Sequence, residues 1–283
     1  MEAYIVKGYR TAVAKAKKGG FKNYRSDDMA VEVLKHLVGQ VPGLDPTTID
    51  DVIVGCANPE GEQGLQVGRL ISARALGIEV PGITINRYCA SGLEAIAMAV
   101  AKIKSGMGQI YIAGGTESMS LIPMTGYKLS PSYKANMENI NYHVSMGATA
   151  EAVAEKFNIS REAADTFSFK SHQKAANAID QGYFEDEIVP ITVEDVNVKD
   201  GKKVSNSHTV SVDEGVRRDT TIEGLSKLRA VFKQGGIITA GNASQTSDGA
   251  AFTLVMSEEK VKELGLEPQA RMAACSVGGV HPL

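Results

Sequence analysis

The chain is 283 residues long, 43% hydrophobic and 22% charged, with a net charge of -3. That is the balance of a globular protein with one large domain or two modest ones, and ample apolar material for a core. A slightly acidic chain carries no basic field for nucleic acid or an anionic membrane, and no apolar run approaches the ~20 residues that span a bilayer.

The first 120 residues alternate strand and helix signals. Ala3 to Gly8 reads as a buried strand. A helix is expected from Ser26 to about Gln40, with Ser26 as N-cap, Asp27 and Asp28 in the first turn, and Met29, Val33, Leu34 and Leu37 at helical spacing. Asp51 to Cys56 reads as a second strand, Leu65 to Leu76 as a helix, and Gly82 to Ile85 as a third strand. Ser91 to Ser105 then reads as a helix and Gln109 to Ala113 as a fourth strand. Strands separated by helices of this length predict a layered α/β domain with a mainly parallel sheet.

The character changes after Gly114. Residues 119 to 145 lack clear periodicity and are rich in Met, Ser, Tyr, Asn and Pro. Two helices follow, the second from near Ser160 to about Gln181, with Phe167, Ala175, Ala176 and Ile179 as expected core contacts. Residues 183 to 216 read as a charged, loop-like stretch with isolated strand signals. Irregular stretches of such length in a compact domain are usually functional, so 119–232 is expected to be an inserted domain that covers an active site. Residues 233–266 are expected to return to the first domain (1–118), with Ala251 to Met256 as a closing strand and Glu258 to Leu264 as a short helix.

One cysteine stands out, in Ile85-Asn86-Arg87-Tyr88-Cys89-Ala90-Ser91-Gly92-Leu93. A cysteine at a strand-to-helix turn sits at the positive end of a helix, where the nucleophilic thiolate is favoured. Ala90, Ser91 and Gly92 are small enough to let a substrate reach its sulfur. The residues alone also fit a buried structural cysteine. With Cys56 and Cys275 the total is three, an odd, low count that suits free thiols in a reducing compartment. No Cys/His cluster has metal-ligand spacing. The start, Met1-Glu2-Ala3-Tyr4, lacks the basic segment of a signal peptide, so a cytoplasmic location is expected.

Asn86-Arg87-Tyr88-Cys89-Ala90-Ser91-Gly92-Leu93 resembles the nucleophile segment of the thiolase family. Four other segments agree in order: Ala113 to Ser120, Ser145 to Glu151, Arg217 to Leu225 and Thr239 to Ala251. The resemblance covers nearly the whole chain. It implies a layered α/β/α core with a mainly parallel mixed sheet and an inserted loop domain, and an acyltransferase that cleaves or joins 3-oxoacyl-CoA. Cys89 would carry the acyl group, and its own N–H would belong to an oxyanion hole. Met146, Arg217, Ala240 and Ser244 match family contacts to coenzyme A, which is a substrate; no bound cofactor or metal is implied. Read without the family, Met146 is equally a core filler, Arg217 a surface charge paired with Asp213 or Glu214, and Ser244 the cap of a following helix. Many relatives carry His where this chain has Ser145.

Relatives carry three further segments in a second core domain: Asn-Glu-Ala-Phe, Gly-His-Pro and Cys-x-Gly-x-Gly. None occurs in these residues, and 267–283 is expected to be the start of that domain, cut short. Cys275-Ser276-Val277-Gly278-Gly279 has Val277 where the motif needs glycine, and His281-Pro282 follows Val280 rather than glycine, so neither is expected to be catalytic. The expected activity is degradative thiolysis of 3-oxoacyl-CoA by a homodimer or homotetramer. The other readings are a biosynthetic acetyl-CoA acetyltransferase, a decarboxylating condensing enzyme, and a non-catalytic acyl-CoA-binding or assembly subunit.

Overall fold

A computed structural model describes residues 2–283. In chain order the elements are β1 (Ala3–Arg10), β2 (Ala14–Lys15), α1 (Ser26–Gly39), β3 (Asp51–Gly55), α2 (Val67–Leu76), β4 (Gly82–Ile85), α3 (Ser91–Lys104) and β5 (Ile110–Ser118). They continue with α4 (Tyr133–Glu138), α5 (Met146–Lys156), α6 (Arg161–Asp180), β6 (Ile191–Lys199), β7 (Lys202–Val210), α7 (Ile222–Ser226), β8 (Ser247–Ser257) and α8 (Glu258–Glu263). They fall into two units. Unit 1 holds residues 1–127, 185–214 and 246–275; unit 2 holds 128–184, 215–245 and 276–283.

Unit 1 is built on a sheet of order β1-β8-β5-β3-β4, with β2 also on β8. β3 pairs in parallel with β4 and β5, while β8 is antiparallel to β1, β2 and β5. Only β8, among the described residues, therefore runs against the rest, and the sheet is mixed but mainly parallel. Both faces are covered, so its strands carry apolar residues on both sides. Val52 and Val54 of β3, Ile110 and Ile112 of β5, and Phe252, Leu254 and Met256 of β8 join the core under α1 and α2. Ile53, Tyr111, Ala113 and Val255 point the other way, into a smaller core with Ala95, Ala99 and Ile103 of α3. The period-2 alternation of the strands thus generates the α/β/α layering.

Two close approaches demand glycine. A methyl on Gly114 of β5 would strike the Ala251 carbonyl oxygen of β8. One on Gly55, the last residue of β3, would lie 2.6 Å from Cβ of Ser91. The second contact is how the start of α3 comes to rest on the end of β3.

Several expectations need correction. Arg25, not Ser26, is the N-cap of α1, and no side chain caps that helix. Ser26 is buried without a partner for its hydroxyl. Its carbonyl is taken by the Thr116 hydroxyl at 2.8 Å, while Asp27 bonds Arg25 and Arg74, so the helix start is held by tertiary contacts. Helix α2 begins at Val67, because Leu65 and Gln66 are left-handed. The loop expected over 183–216 contains a β-hairpin, β6–β7, closed between Lys199 and Lys202 by left-handed Asp200 and Gly201. Asp-Gly is the residue pair of a two-residue hairpin turn. Ile191, Val193 and Val210 anchor its base in the larger core.

Unit 2 contains α4 to α7. The expected second helix runs from Arg161 to Asp180, with the Ser160 hydroxyl accepting from the Ala163 N–H. Its expected core contacts are not realised: Phe167 is 77% exposed, and the one buried residue of the helix is Asp165. Residues 233–245, expected to rejoin the first domain, cluster with this unit, and 185–214 with unit 1.

Gly114→Ala is expected to lower the stability of the chain by about 3 kcal/mol through overpacking against β8. Gly39→Ala, where a methyl meets nothing within 4 Å, is expected to raise it by about 0.5 kcal/mol. Urea unfolding midpoints of the two variants check both signs.

Candidate active site

In unit 1, β3 and β4 end in register, Gly55 beside Ile85, and the Cys56 N–H donates to the Ile85 carbonyl at 3.0 Å. The chain must then turn from β4 into α3 between Asn86 and Ala90. It does so through Tyr88, a non-glycine residue with φ of 47°. Left-handed backbone costs an L-residue roughly 1–2 kcal/mol, so the turn needs support.

That support comes from both sides. The Asn86 side-chain carbonyl accepts the Tyr88 N–H at 2.8 Å. The Ser91 hydroxyl accepts the Arg87 N–H at 2.8 Å and donates to the Tyr88 carbonyl at 2.6 Å. Arg87 is held away from the turn by a two-point ion pair with Glu94, at 2.8 and 3.2 Å. Cys89, at the apex, is exposed. Its N–H donates to no group among the described residues. An exposed thiol beside an unspent backbone donor, at the start of a 14-residue helix, is an arrangement for attack on a carbonyl whose oxygen gains charge. No base in unit 1 is hydrogen-bonded to the Cys89 sulfur among the described residues.

The other cysteines differ. Cys56 is buried, and burial, followed by the nearby Glu117 charge, pushes its thiol up to about 12. Gln63 donates to its sulfur at 3.3 Å. Cys275 is exposed.

Unit 2 carries its own cleft of about 410 Å³, whose walls include Phe167, Ser171, His172, Arg217, Ala240 and Ser244. Three sequence candidates, Arg217, Ala240 and Ser244, are thus brought together. The N–H of Arg217 donates to His172 Nδ1 at 3.2 Å, and its side chain is exposed. Asp213 and Glu214 are engaged elsewhere: Asp213 pairs with Arg10, and Glu214 accepts the Lys15 and Gly20 amides. Ser244 caps no helix, since a strand follows it. Met146 is not a core filler; it is 72% exposed at the first turn of α5, beneath a Ser145 cap. A methyl on the next residue, Gly147, would strike the Phe232 ring.

The cleft loop rests on buried polar side chains that sequence reasoning missed. Glu151 accepts the Ile237 and Ile238 amides at 3.0 and 2.9 Å. Asp165 takes Arg161 at 2.7 Å and the Asn242 amide at 2.9 Å. Asn242 Oδ1 in turn accepts the Thr239 N–H at 2.7 Å. Ala240 to Ser244 therefore lines the cleft as a fixed loop despite its exposure. Among the described residues no cluster of His, Cys, Asp or Glu could hold a metal ion, and no helix is long and apolar enough to cross a membrane.

Residues 3–259 match the family described as the thiolase N-terminal domain. A 3-ketoacyl-CoA thiolase of Bacillus subtilis is 47% identical over 283 residues, covering 99% of this chain and 72% of that protein. A 3-oxoadipyl-CoA/3-oxo-5,6-dehydrosuberyl-CoA thiolase of Escherichia coli is 39% identical over 298 residues, with the same coverage of 99% and 72%. Among solved structures, the Bacillus anthracis acetyl-CoA acetyltransferase aligns with a TM-score of 0.84 at 35% identity, over 99% of this chain and 72% of that one.

At neutral pH a small alkylating reagent is expected to modify Cys89 and Cys275 and to spare Cys56 until denaturant is added, as peptide mass spectrometry can show. The Cys56 thiol lies above its ordinary 9.0 in the folded state, so folding retains a proton that the unfolded chain releases. The associated stability is whole below pH 9 and is lost as pH rises towards 12. Cys56→Ala is expected to flatten the fall in Tm across that window.

Proposed function

The chain belongs to the thiolase family of acyltransferases, and from that premise we propose that it performs CoA-dependent thiolysis of 3-oxoacyl-CoA through an acyl group carried on Cys89. The observation that carries the reading is the turn itself, an exposed thiol whose own N–H is unspent. The Cys89 thiolate attacks the C3 carbonyl, and the oxygen takes the electron pair while facing the backbone donor. Collapse of that adduct breaks the C2–C3 bond. The two-carbon fragment leaves as the acetyl-CoA enolate and is protonated. The sulfur of a second CoA then attacks the acyl-cysteine, releasing a shortened acyl-CoA and the free thiolate. Two acyl transfers thus replace one difficult cleavage.

In this proposal Met146 and the cleft residues Arg217, Ala240 and Ser244 contact coenzyme A. Arg217 is an exposed cation suited to phosphate, Met146 an exposed thioether suited to the pantetheine arm, and the Ala240–Ser244 loop a fixed wall. The role is placed in fatty acid β-oxidation, in the cytoplasm, in a homodimer or homotetramer. A biosynthetic role is the second reading, favoured by the likeness to an acetyl-CoA acetyltransferase structure.

Incubation with a medium-chain 3-oxoacyl-CoA is expected to add one acyl group to the Cys89 peptide, and Cys89→Ala to abolish that adduct. A full-length mass shift that persists in Cys89→Ala would overturn the assignment. A preference for acetoacetyl-CoA over longer substrates would replace the degradative role with the biosynthetic one.

A further inference from the structure

We infer that Glu117 and Asn86 are positioning residues for Cys89, forming a hydrogen-bonded line from the sheet interior to the strained turn. The inference rests on the proposed nucleophilic role of Cys89, but its geometry stands alone. Gln63 is fully buried. Its amide nitrogen donates to Glu117 Oε1 at 2.5 Å and its carbonyl accepts the Ser118 N–H at 2.6 Å. Glu117 is thereby fixed at the end of β5. Its other oxygen accepts the Ala57 N–H at 2.7 Å. The Ala57 carbonyl accepts from the Asn86 side chain at 2.8 Å, and the Asn86 side-chain oxygen accepts the Tyr88 N–H at 2.8 Å.

Each link constrains the next. A carboxylate is an acceptor only, so Glu117 can hold the Ala57 amide in one orientation while Gln63 holds Glu117. With Ala57 fixed, the Asn86 amide has one way to face: nitrogen to Ala57, oxygen to Tyr88. That orientation is what makes Asn86 a support for the left-handed residue. Glu117 lies outside the turn and 28 residues along the chain, yet it determines which atom Asn86 offers. A glutamine at 117 would set an NH2 group against either the Gln63 amide or the Ala57 N–H, so one link must break.

The support matters only because Tyr88 carries a side chain. Glycine adopts that backbone without cost, so in a Tyr88→Gly background the line has little left to hold. A double-mutant cycle therefore reads the inference. The probe is the rate of iodoacetamide alkylation, resolved at the Cys89 and Cys275 peptides by mass spectrometry, with Cys275 as the internal reference. Glu117→Gln and Asn86→Ala are each expected to slow alkylation of Cys89 by roughly fivefold, the loss of one hydrogen bond, with Cys275 unchanged. In the Tyr88→Gly background both effects are expected to shrink below about twofold.

Equal or larger factors in that background would overturn the inference, as would wild-type rates in both single variants. Asn86 is exposed, so Asn86→Ala carries the test should Glu117→Gln fail to fold. Alkylation needs no acyl-CoA. Coupling in the cycle with no acyl adduct on Cys89 would sink the proposed function and leave this inference standing; an acyl adduct without coupling would do the reverse.

Discussion

A single left-handed residue, Tyr88, carries the strain of the turn that presents Cys89, and the arrangement around it makes sense as the means of holding that residue. The turn is short because its two ends are fixed. β4 ends in register with β3, and α3 begins in van der Waals contact with Gly55 at the end of β3. A chain that leaves one strand and must enter a helix lying on its neighbour has few backbone solutions, and this one spends conformational energy at the residue before Cys89. Strain of this kind persists only where the surroundings over-determine it. The parallel strands β3 and β5, buried on both faces, with β4 paired along β3, supply those surroundings.

The second unit uses a different device for a similar end. Its helices bury little apolar surface; Asp165 is the one buried residue of α6, and Glu151 and Ala154 those of α5. The loop around Thr239–Ser244 is held by Glu151, which accepts the Ile237 and Ile238 amides, by Asp165, which accepts the Asn242 side-chain amide, and by Asn242, which accepts the Thr239 N–H. Such pegs fix a loop in one geometry at little gain in net stability. An exposed loop can thus be stiff.

How much of this was visible in the residues depends on how far apart the partners lie. The short apolar runs Val52-Ile53-Val54 and Ile110-Tyr111-Ile112 announce buried strands locally, and the structure follows them. The cysteine segment was legible because strand, turn and helix sit within twenty residues. The Asp200-Gly201 turn is equally local, but the lysines on either side of it mask the strand signal. Phe167 failed differently: its apolar character suggested a core position, but it stands exposed in the wall of the cleft. Glu151, Asp165 and Asn242 could not be placed at all. Glu151 reaches amides 86 and 87 residues away and Asp165 meets Asn242 across 77 residues, and nothing in their neighbours signals burial. The helix start at Arg25 belongs with them, since no side chain caps it and its first turn is held by the distant Thr116 hydroxyl and Arg74.

The position of β8 in the sheet has a consequence in time. It is the strand that separates β1 from β5, yet it follows β5 by more than a hundred residues. As the chain leaves a ribosome, β1 and β5 each wait with an unpaired edge until residue 257 has emerged. Both edges are apolar, and unpaired edges of that kind are the sites at which nascent chains pair wrongly. At typical synthesis rates of ~5–20 residues per second the exposure lasts roughly 7 to 30 seconds. The sheet that holds the Cys89 turn therefore closes only once β8 has emerged, and the interval before it closes is when the chain most needs a chaperone's protection.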